Sequence, residues 1–328
     1  MIIARAPFRI SFLGGGTDFP EYYRRRGGAV LTTAIDRYCY LAVHRLSAFY
    51  PHRFRASYSQ TETTDSAEAI RHPLIRECLR QAAPDDRLEI THIADLPGGT
   101  GLGTSSSFTV GLLHALRAAR GEEPTPEALA REAIAIERER VGDPGGHQDQ
   151  YAAAFGGWLR LDFRPDGAVE ARRLELDAAR RAQIEAALLL FHTGAQKSAR
   201  EVLRRQSAAL ARNLDALDEM RELADRGEIA LRSGGPLERF GALLDRAWSL
   251  KRGLAEGISF PEVDAAYAKA RELGAWGGKL LGAGGRGFLM ILAPPERQPA
   301  IEAALAPWTA IRVRGGADGS RIVYRDPP

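Results

Sequence analysis

The amino-acid sequence predicts an α+β fold divided into two domains. With 328 residues, the chain is long enough to bury two hydrophobic cores. Strand-like and helical segments are mixed in the first half rather than regularly alternated, which favours α+β over a doubly wound parallel sheet. Helical patterning dominates the second half. We therefore expect an N-terminal domain over residues 1–180 and a C-terminal domain over residues 181–328.

The first half contains runs of β-favouring residues, and helical spacing of apolar residues predicts helices between them. Thr125 followed by Pro126 is typical of a helix start, and Asp166-Gly167 is typical of a hairpin turn. The predicted strands are 2–12, two short strands within 29–45, 88–93 and 156–163, and the predicted helices are 72–81, 105–119 and 125–140.

The second half begins with an apolar strand and continues as a helical layer, which we expect to cover a sheet. Glycine and proline disfavour helix interiors, so we expect interruptions near Arg226-Gly227 and over 233–236. The predicted elements are a strand over 186–191, helix over 195–255, a glycine-rich loop and strand over 280–292, a helix over 296–304 and a closing strand over 310–313.

Composition excludes several classes of protein. The 45 basic and 42 acidic residues nearly balance, which does not indicate a nucleic-acid binder, and no apolar run is long enough to cross a membrane. The first residues lack the pattern of a signal peptide, so we expect a cytoplasmic protein with a small-molecule partner. Cys39 and Cys78 are isolated and are expected to be reduced core residues. A homodimer remains open.

Residues 96–107 are the most informative segment, because four glycines and five hydroxyl residues lead into a helical pattern. Free N–H groups and the helix dipole at such a helix start favour a multiply charged anion, such as a nucleotide di- or triphosphate. The segment is neither a Walker A loop nor a dinucleotide motif, and alone it is also typical of a capped turn. The predicted nucleotide-binding residues are Pro97, Gly98, Gly99, Gly101, Leu102, Gly103, Thr104, Ser105, Ser106 and Ser107.

Two further segments accompany this phosphate cradle, residues 6–18 and 277–288. In order and separation, the three resemble the signature motifs of the GHMP kinases, a family named after galactokinase, homoserine kinase, mevalonate kinase and phosphomevalonate kinase. The resemblance covers essentially the whole chain. Within the family it is strongest to bacterial heptose 7-phosphate kinases, through residues 14–18, 28–30, 34–40, 72–78 and 148–157.

The resemblance implies an N-terminal domain like domain 2 of ribosomal protein S5 and a helix-rich, ferredoxin-like C-terminal domain. It also implies that ATP and a sugar bind in the cleft between them, with Mg²⁺ required. The implied reaction is phosphorylation of the anomeric hydroxyl of D-glycero-D-manno-heptose 7-phosphate to the 1,7-bisphosphate, towards nucleotide-activated heptose. The alternatives are a kinase for an unphosphorylated sugar of the galactose or fucose type, and a catalytically silent sugar sensor.

Site residues follow from the resemblance together with their chemistry. Asp149 matches the aspartate of galactokinases that can accept the sugar hydroxyl proton, and Arg9 matches an arginine that steadies it. Glu137 and Ser105 match the residues that share Mg²⁺, which needs few protein ligands besides phosphate oxygens. Glu139 is a rival for the metal.

Asp18 matches an aspartate that holds sugar hydroxyls. Galactokinases have Glu-His where this chain has Gly15-Gly16, which leaves room for a different or larger sugar, and Arg286 stands where a glycine is usual. The candidate cations for a substrate phosphate are Lys197 and Arg200, or the three arginines 24–26. An arginine cluster on a short helix, however, usually contacts only solvent. The predicted substrate-binding residues are Gly15, Gly16, Thr17, Asp18, Gln148, Thr193, Gly194, Gly284 and Gly285.

Each assignment also has a purely structural interpretation. Arg9 is compatible with a surface ion pair, and Asp18 with a cap for a helix from residue 19. Glu137 and Glu139 are compatible with solvated positions at a helix end, and Asp149 with a cap for the helix that follows. The joint order and spacing favour the functional interpretation.

Overall fold

The computed structural model describes residues 1–83, 86–194 and 199–326. Its strands form two sheets, one of eight strands and one of four. The strands are β1 (Ile2–Leu13), β2 (Gly28–Arg45), β3 (Phe54–Ser57), β4 (Thr61–Thr64), β5 (Leu88–Ala94), β6 (Trp158–Phe163), β7 (Val169–Arg173), β8 (Leu188–His192), β9 (Gly277–Leu280), β10 (Phe288–Leu292), β11 (Ala310–Ile311) and β12 (Arg321–Arg325).

Helices lie between the strands in both halves of the chain. They are α1 (Pro20–Arg26), α2 (Pro73–Ala82), α3 (Thr104–Ala119), α4 (Pro126–Ile134), α5 (Gln148–Phe155), α6 (Ala178–Ala187), α7 (Ala199–Ala208), α8 (Leu214–Arg232), α9 (Leu237–Leu254), α10 (Pro261–Glu272) and α11 (Gln298–Ala304). Short 3₁₀ turns lie at Ala67–Ala69, Leu210–Arg212 and Pro295–Arg297.

The larger sheet has the order β12-β1-β2-β5-β3-β4, with β6 and β7 branching from β2. The first half of β2 pairs with β6 and its second half with β5, while β1 runs antiparallel along both halves. α3 and α5 pack against β1 and β2, and their apolar faces bury the core of this sheet. β1 therefore lies beside the start of α3, where the Arg9 amide donates to the Leu102 carbonyl.

The smaller sheet has the order β11-β8-β10-β9, and its described pairs are all antiparallel. Its strands are almost wholly apolar, and α9 packs against β9. Sheet membership changes between β7 and β8, close to the boundary expected at residue 180, while β12 returns to pair with β1. The last strand of the second half thus completes the first sheet.

Several predicted elements differ from the structure. Residues 29–45, predicted as two strands, form one strand, because polar Asp36 and Arg37 lie at a register shift against β1 rather than in a turn. The expected interruption at Arg226-Gly227 is wrong, since both residues lie inside α8. Gly227 is buried there, and a Cβ would lie 2.3 Å from Cδ1 of Leu13, so the glycine serves close packing.

The helix predicted over 125–140 begins as expected, with the Thr125 hydroxyl accepting a hydrogen bond from the Ala128 amide at 3.2 Å. After Ile134 it widens into a π-helical turn over Ala135–Arg140. Such turns are rare and occur frequently at functional sites. Within the described part of the chain, no helix combines the length and apolar character that crossing a membrane needs.

Candidate active site

The phosphate cradle forms the start of α3, as predicted. Gly99, Gly101 and Gly103 have φ of +72°, +78° and +72°, a backbone region that L side chains rarely adopt. Gly103 is the N-cap, so Thr104, Ser105 and Ser106 occupy the first helical turn. Amide groups at this end of the helix are free to meet an anion.

A cavity of about 200 Å³ opens in front of the cradle. Its walls come from the end of β1, the cradle, the segment from Glu137 to Gln150, and the C-terminal half through α7, α9 and β9. The lining includes Arg9, Asp18, Glu137 and Asp149. The structure therefore brings together four acidic or basic residues that the sequence predicted from three separate segments.

The backbone of the third glycine motif lies directly against the cradle. A Cβ on Gly101 would lie 2.6 Å from the Leu281 carbonyl oxygen, and one on Gly282 would lie 2.5 Å from the Gly101 Cα. The Phe288 amide donates to the Thr100 carbonyl at 3.1 Å. We call this contact the glycine seam. It joins the two halves of the chain at the predicted nucleotide site.

Arg9 and Asp149 form a two-point ion pair. Nε and Nη2 of Arg9 donate to the two carboxylate oxygens of Asp149, each at 2.7 Å, and Nη1 donates to the Gly101 carbonyl at 2.6 Å. The guanidinium is only 5% exposed, and Asp149 is 25% exposed on its cavity side. The interpretation of Arg9 as a surface ion-pair member is therefore wrong. Its planar fork fixes the carboxylate in one orientation.

Asp18 anchors the N-terminus of α5. Its Oδ1 accepts from the Gly16 amide at 2.9 Å and its Oδ2 from the Gln148 amide at 3.2 Å. It does not cap the helix after residue 19, where Phe19 is the N-cap. Burial raises the pKa of Asp18, with the nearby Asp149 carboxylate adding to the shift. Asp18 therefore sets the position of the turn that carries Asp149 while it also lines the cavity.

Glu137 lies in the π-helical turn with its side chain buried. Its Oε2 accepts from the Ser106 hydroxyl at 2.8 Å and from Nε2 of Gln150 at 2.6 Å. Its Oε1 is buried and has no hydrogen-bond partner among the described residues. Burial raises the pKa of Glu137 to about 7, although the hydroxyl and amide donors oppose the shift. Glu139, the rival, is exposed.

The serine that contacts Glu137 is not the one predicted to share the metal with it. Ser106, rather than the predicted Ser105, contacts Glu137, while Ser105 is exposed at the cavity wall. Successive residues on a helix point about 100° apart, so a shift of one position decides which hydroxyl meets the carboxylate. Sequence spacing alone does not resolve such a shift.

Several predicted binding residues hold the fold rather than line the cavity. The Ser107 hydroxyl donates to the Pro7 carbonyl at 2.6 Å, and the Leu102 side chain is fully buried in the core. The Thr17 hydroxyl donates to the carbonyl of Gly14 in its own loop and to that of Ala29 in β2. The predicted residues outside the lining formed by the described chain are Pro97, Gly98, Leu102, Ser107, Thr17, Thr193, Gly194, Gly284 and Gly285.

Thr193, Gly284 and Arg286 support the loop behind the seam. The Thr193 hydroxyl donates to the Gly287 carbonyl at 3.1 Å, and Nη1 of Arg286 donates to the Thr193 carbonyl at 3.2 Å. A Cβ on Gly284 would lie 2.6 Å from the Ile258 carbonyl oxygen. Arg286 thus stabilises the loop of the third motif from outside the cavity. The sequence alone assigned no role to this arginine.

The described cations that were predicted to meet a substrate phosphate are outside the cavity lining. Arg24 and Arg25 are exposed, and Arg26 pairs with Asp218 at 2.6 Å. Arg200 is exposed and donates to the Val141 carbonyl. Lys197 lies outside the described residues.

Two buried lysines in the cavity wall were missed by the sequence analysis. Nζ of Lys279 donates to the Phe12 carbonyl at 3.0 Å, and Nζ of Lys251 donates to the carbonyls of Leu280 and Gly282 at 3.0 and 2.5 Å. The lysines are 2% and 5% exposed. A lone lysine inside the apolar, glycine-rich run 277–281 was the available signal for Lys279.

Two family models match the chain, GHMP kinases N terminal domain over residues 69–157 and GHMP kinases C terminal over residues 216–308. The chain belongs to the GHMP kinase family. This confirms the predicted family and class of enzyme, a phosphotransferase with an alcohol group as acceptor. Kinases of this family use ATP as the phosphate donor.

Curated GHMP kinases align with this one over most of its length. D-glycero-alpha-D-manno-heptose 7-phosphate kinase of Campylobacter jejuni is 26% identical over 314 residues, which cover 90% of this chain and 91% of that protein. Galactokinase of Pyrococcus furiosus is 24% identical over 343 residues, covering 93% and 92%.

Solved structures share the architecture. A D-glycero-D-manno-heptose 1-phosphate kinase from Bacteroides thetaiotaomicron superposes with a TM-score of 0.82 over 100% of both chains, at 24% identity. The likeness confirms the predicted two-domain α+β fold of GHMP kinases.

Proposed function

We propose that this GHMP kinase transfers the γ-phosphoryl group of ATP to the anomeric hydroxyl of D-glycero-D-manno-heptose 7-phosphate, giving the 1,7-bisphosphate for nucleotide-activated heptose synthesis. Asp149 is the base, Arg9 the cation that steadies it, and the cradle the ATP phosphate site. The similarity to a heptose 7-phosphate kinase over nine-tenths of both chains supports the choice of acceptor.

One observation carries the proposal. A Cβ on Gly103, the N-cap of the cradle helix, would lie 3.4 Å from Oδ2 of Asp149 and 3.0 Å from Cγ of Arg9. The candidate base therefore stands beside the predicted phosphate site. An acceptor hydroxyl at Asp149 and a phosphoryl group at the helix start would be neighbours, as direct transfer requires.

The step needs no phosphorylated enzyme intermediate. The acceptor oxygen gives its proton to a carboxylate oxygen of Asp149 as it forms a bond to the γ-phosphorus. The bond from that phosphorus to the bridging oxygen breaks, and ADP leaves with the electron pair. Each Asp149 oxygen receives one hydrogen bond from Arg9 and keeps capacity for another. Arg9 also offsets the negative charge that accumulates at the attacking oxygen.

The residues present fit a magnesium ion. The unpartnered Oε1 of Glu137 and a hydroxyl of Ser106 or Ser105 would hold it. No group of three His, Cys, Asp or Glu side chains within the described chain could hold a metal, but Mg²⁺ beside ATP needs only one or two protein ligands. When bound, the ion neutralises charge on the phosphate oxygens. Glu137 and the serine hydroxyl would fix its position in the site.

Alanine variants of Ser105 and Ser106 test which of the two hydroxyls contributes to Mg²⁺ binding. We expect Ser106→Ala to raise the Mg²⁺ concentration for half-maximal activity by about tenfold or more, because it removes the hydroxyl that orients Glu137. Ser105→Ala should have a smaller effect. Magnesium titrations of ADP release at saturating ATP provide the measurement, and the opposite order would return the metal to Ser105.

Kinetics across a panel of sugars test the acceptor. We expect kcat/KM for the heptose 7-phosphate to exceed that for free heptose, galactose and fucose by at least about a hundredfold, since desolvated charge-assisted contacts of phosphate contribute about 1.5–3 kcal/mol each. ADP release with each sugar gives the values. Equal turnover of an unphosphorylated sugar would overturn the heptose phosphate assignment and keep the kinase. ADP release that no sugar stimulates would favour a silent sensor.

A further inference from the structure

Lys279 and Lys251 are buried cations in the cavity wall that form no ion pair within the described chain. Both ammonium groups are more than nine-tenths buried and donate only to backbone carbonyls, with no ion pair to a carboxylate in the parts of the chain that the structure describes. Lysine is almost never fully buried unless it is paired. Asp18 and Asp149 carry the opposite charge in the same cavity, but neither forms an ion pair with these lysines in the described chain, so both ammonium groups remain available to an anionic ligand.

The position of Lys279 relative to Gly15 shows where that anion would lie. A Cβ on Gly15 would lie 4.0 Å from Nζ of Lys279, 3.4 Å from Oγ of Ser11 and 3.6 Å from Nε2 of Gln148. We call the space bounded by these four residues the Gly15 pocket. All four line the cavity.

The polar groups around this space are not saturated. Oγ of Ser11 is buried without a hydrogen-bond partner among the described residues, and Nε2 of Gln148, an N–H donor, lies on the same side of Gly15. Nζ of Lys279 uses one of its three hydrogens on the Phe12 carbonyl. Lys279 and Ser11 thus have hydrogen-bond donors to spare beside an amide N–H group, and an oxygen-rich anion in this space would accept from them.

We propose that the Gly15 pocket binds the phosphate monoester of the acceptor, and that Lys279 determines the preference for a phosphorylated sugar. This inference rests on the proposed function. The phosphates of ATP offer the same chemistry, but the pocket is built from β1, its following loop, the start of α5 and β9, without a residue of the cradle. The acceptor side of the cavity is therefore favoured.

The pKa of Lys279 determines how binding of an anion in this pocket depends on pH. Burial and the nearby Arg9 lower the pKa of Lys279 to about 7, while Asp18 opposes the shift. Lys251 lies close enough for its own pKa to be lowered by Lys279, after the larger effect of burial. A bound phosphate would favour the charged form, so binding above pH 7 takes up a proton. KM for the phosphorylated acceptor should rise with pH there, and KM for an unphosphorylated one should rise less.

Gly15 offers a second, independent way to change the pocket. It has no positive φ, and the nearest atoms to an added Cβ lie at ordinary contact distances of 3.4 Å or more, so a side chain fits there without backbone strain. Gly15→Asp places a carboxylate beside Lys279, whereas Gly15→Ala adds bulk without charge. Comparing the two separates the loss of an anion site from the loss of space.

The experiment measures kcat/KM for heptose 7-phosphate and free heptose, with KM for ATP, in wild type, Lys279→Met, Gly15→Asp and Gly15→Ala. We expect the ratio of phosphorylated to free sugar to fall about ten- to a hundredfold in Lys279→Met and Gly15→Asp, as one charge-assisted contact is lost. Gly15→Ala should lower it less. Lys269→Met, the same change at an exposed lysine of α10, is the matched control and should keep the wild-type ratio.

The outcomes separate the inference from the proposed function. A wild-type preference that both variants retain overturns the inference alone, and so does a rise in KM for ATP at unchanged selectivity, which would assign Lys279 to the nucleotide. Without any wild-type preference the proposed acceptor fails. Inorganic phosphate then serves as the probe: inhibition competitive with the accepted sugar and weakened in Lys279→Met supports the anion site, and its absence overturns it. Should Lys279→Met not fold, Gly15→Asp gives the same readouts.

Discussion

Replacing Asp149 with asparagine is expected to lower kcat by about two to four orders of magnitude, the usual effect of losing a general base. Asparagine keeps the size of the side chain and one acceptor oxygen for Arg9, but it cannot take the acceptor proton. ATP binding should persist, because the cradle is built on a different helix. Steady-state turnover and a direct ATP titration provide the two measurements.

Asp215→Asn is the matched control for that prediction. Asp215 also lies in the first turn of a helix, α8, but it is exposed. The control should keep wild-type turnover. Asp149→Asn leaves the buried Arg9 less well paired, so its thermal midpoint is measured alongside. Near-normal turnover in a folded Asp149→Asn enzyme would remove Asp149 from the base role.

Glu137→Gln should raise the Mg²⁺ concentration needed for half-maximal activity by at least about tenfold, and lower kcat at any fixed Mg²⁺ concentration. The amide keeps the contacts to Ser106 and Gln150 within reach but removes the charge that attracts the ion. Magnesium titration of ADP release at constant ATP measures the change.

Glu139→Gln is the control, two residues along the same π-helical turn and exposed to solvent. We expect its magnesium requirement to match wild type. If Glu139→Gln has the larger effect, the metal belongs to Glu139 and the buried Glu137 serves the fold.

The sequence predicted the site most accurately where its structure depends on the local conformation of the backbone. Glycines at 99, 101 and 103 and the hydroxyls after them describe a loop and helix start on their own, and the structure has both where expected. The Arg9–Asp149 contact joins residues 140 positions apart, and only the resemblance to a family brought them together in advance. Short polar strands were missed, since β4 reads Thr-Glu-Thr-Thr and has little apolar content.

The sequence did not predict in which direction individual side chains point from a helix. Lys251 and Arg252 are adjacent cations near the end of α9, yet the first is buried in the cavity wall and the second pairs with Asp264 at the surface. The choice between Ser105 and Ser106 is of the same kind. Apolar spacing over 125–140 predicts one continuous helix and gives no sign of the π turn that contains Glu137.

The glycine seam also limits how the enzyme is assembled and how it varies. Because Gly101 and Gly282 meet backbone to backbone, neither tolerates a side chain unless the opposite loop moves. A fragment ending near residue 180 would therefore carry the phosphate cradle without the glycine loop that packs against it, together with a β1 edge that lacks β12. The two halves therefore cannot be exchanged between relatives as separate modules, since each completes the other at the seam and at the edge of β1.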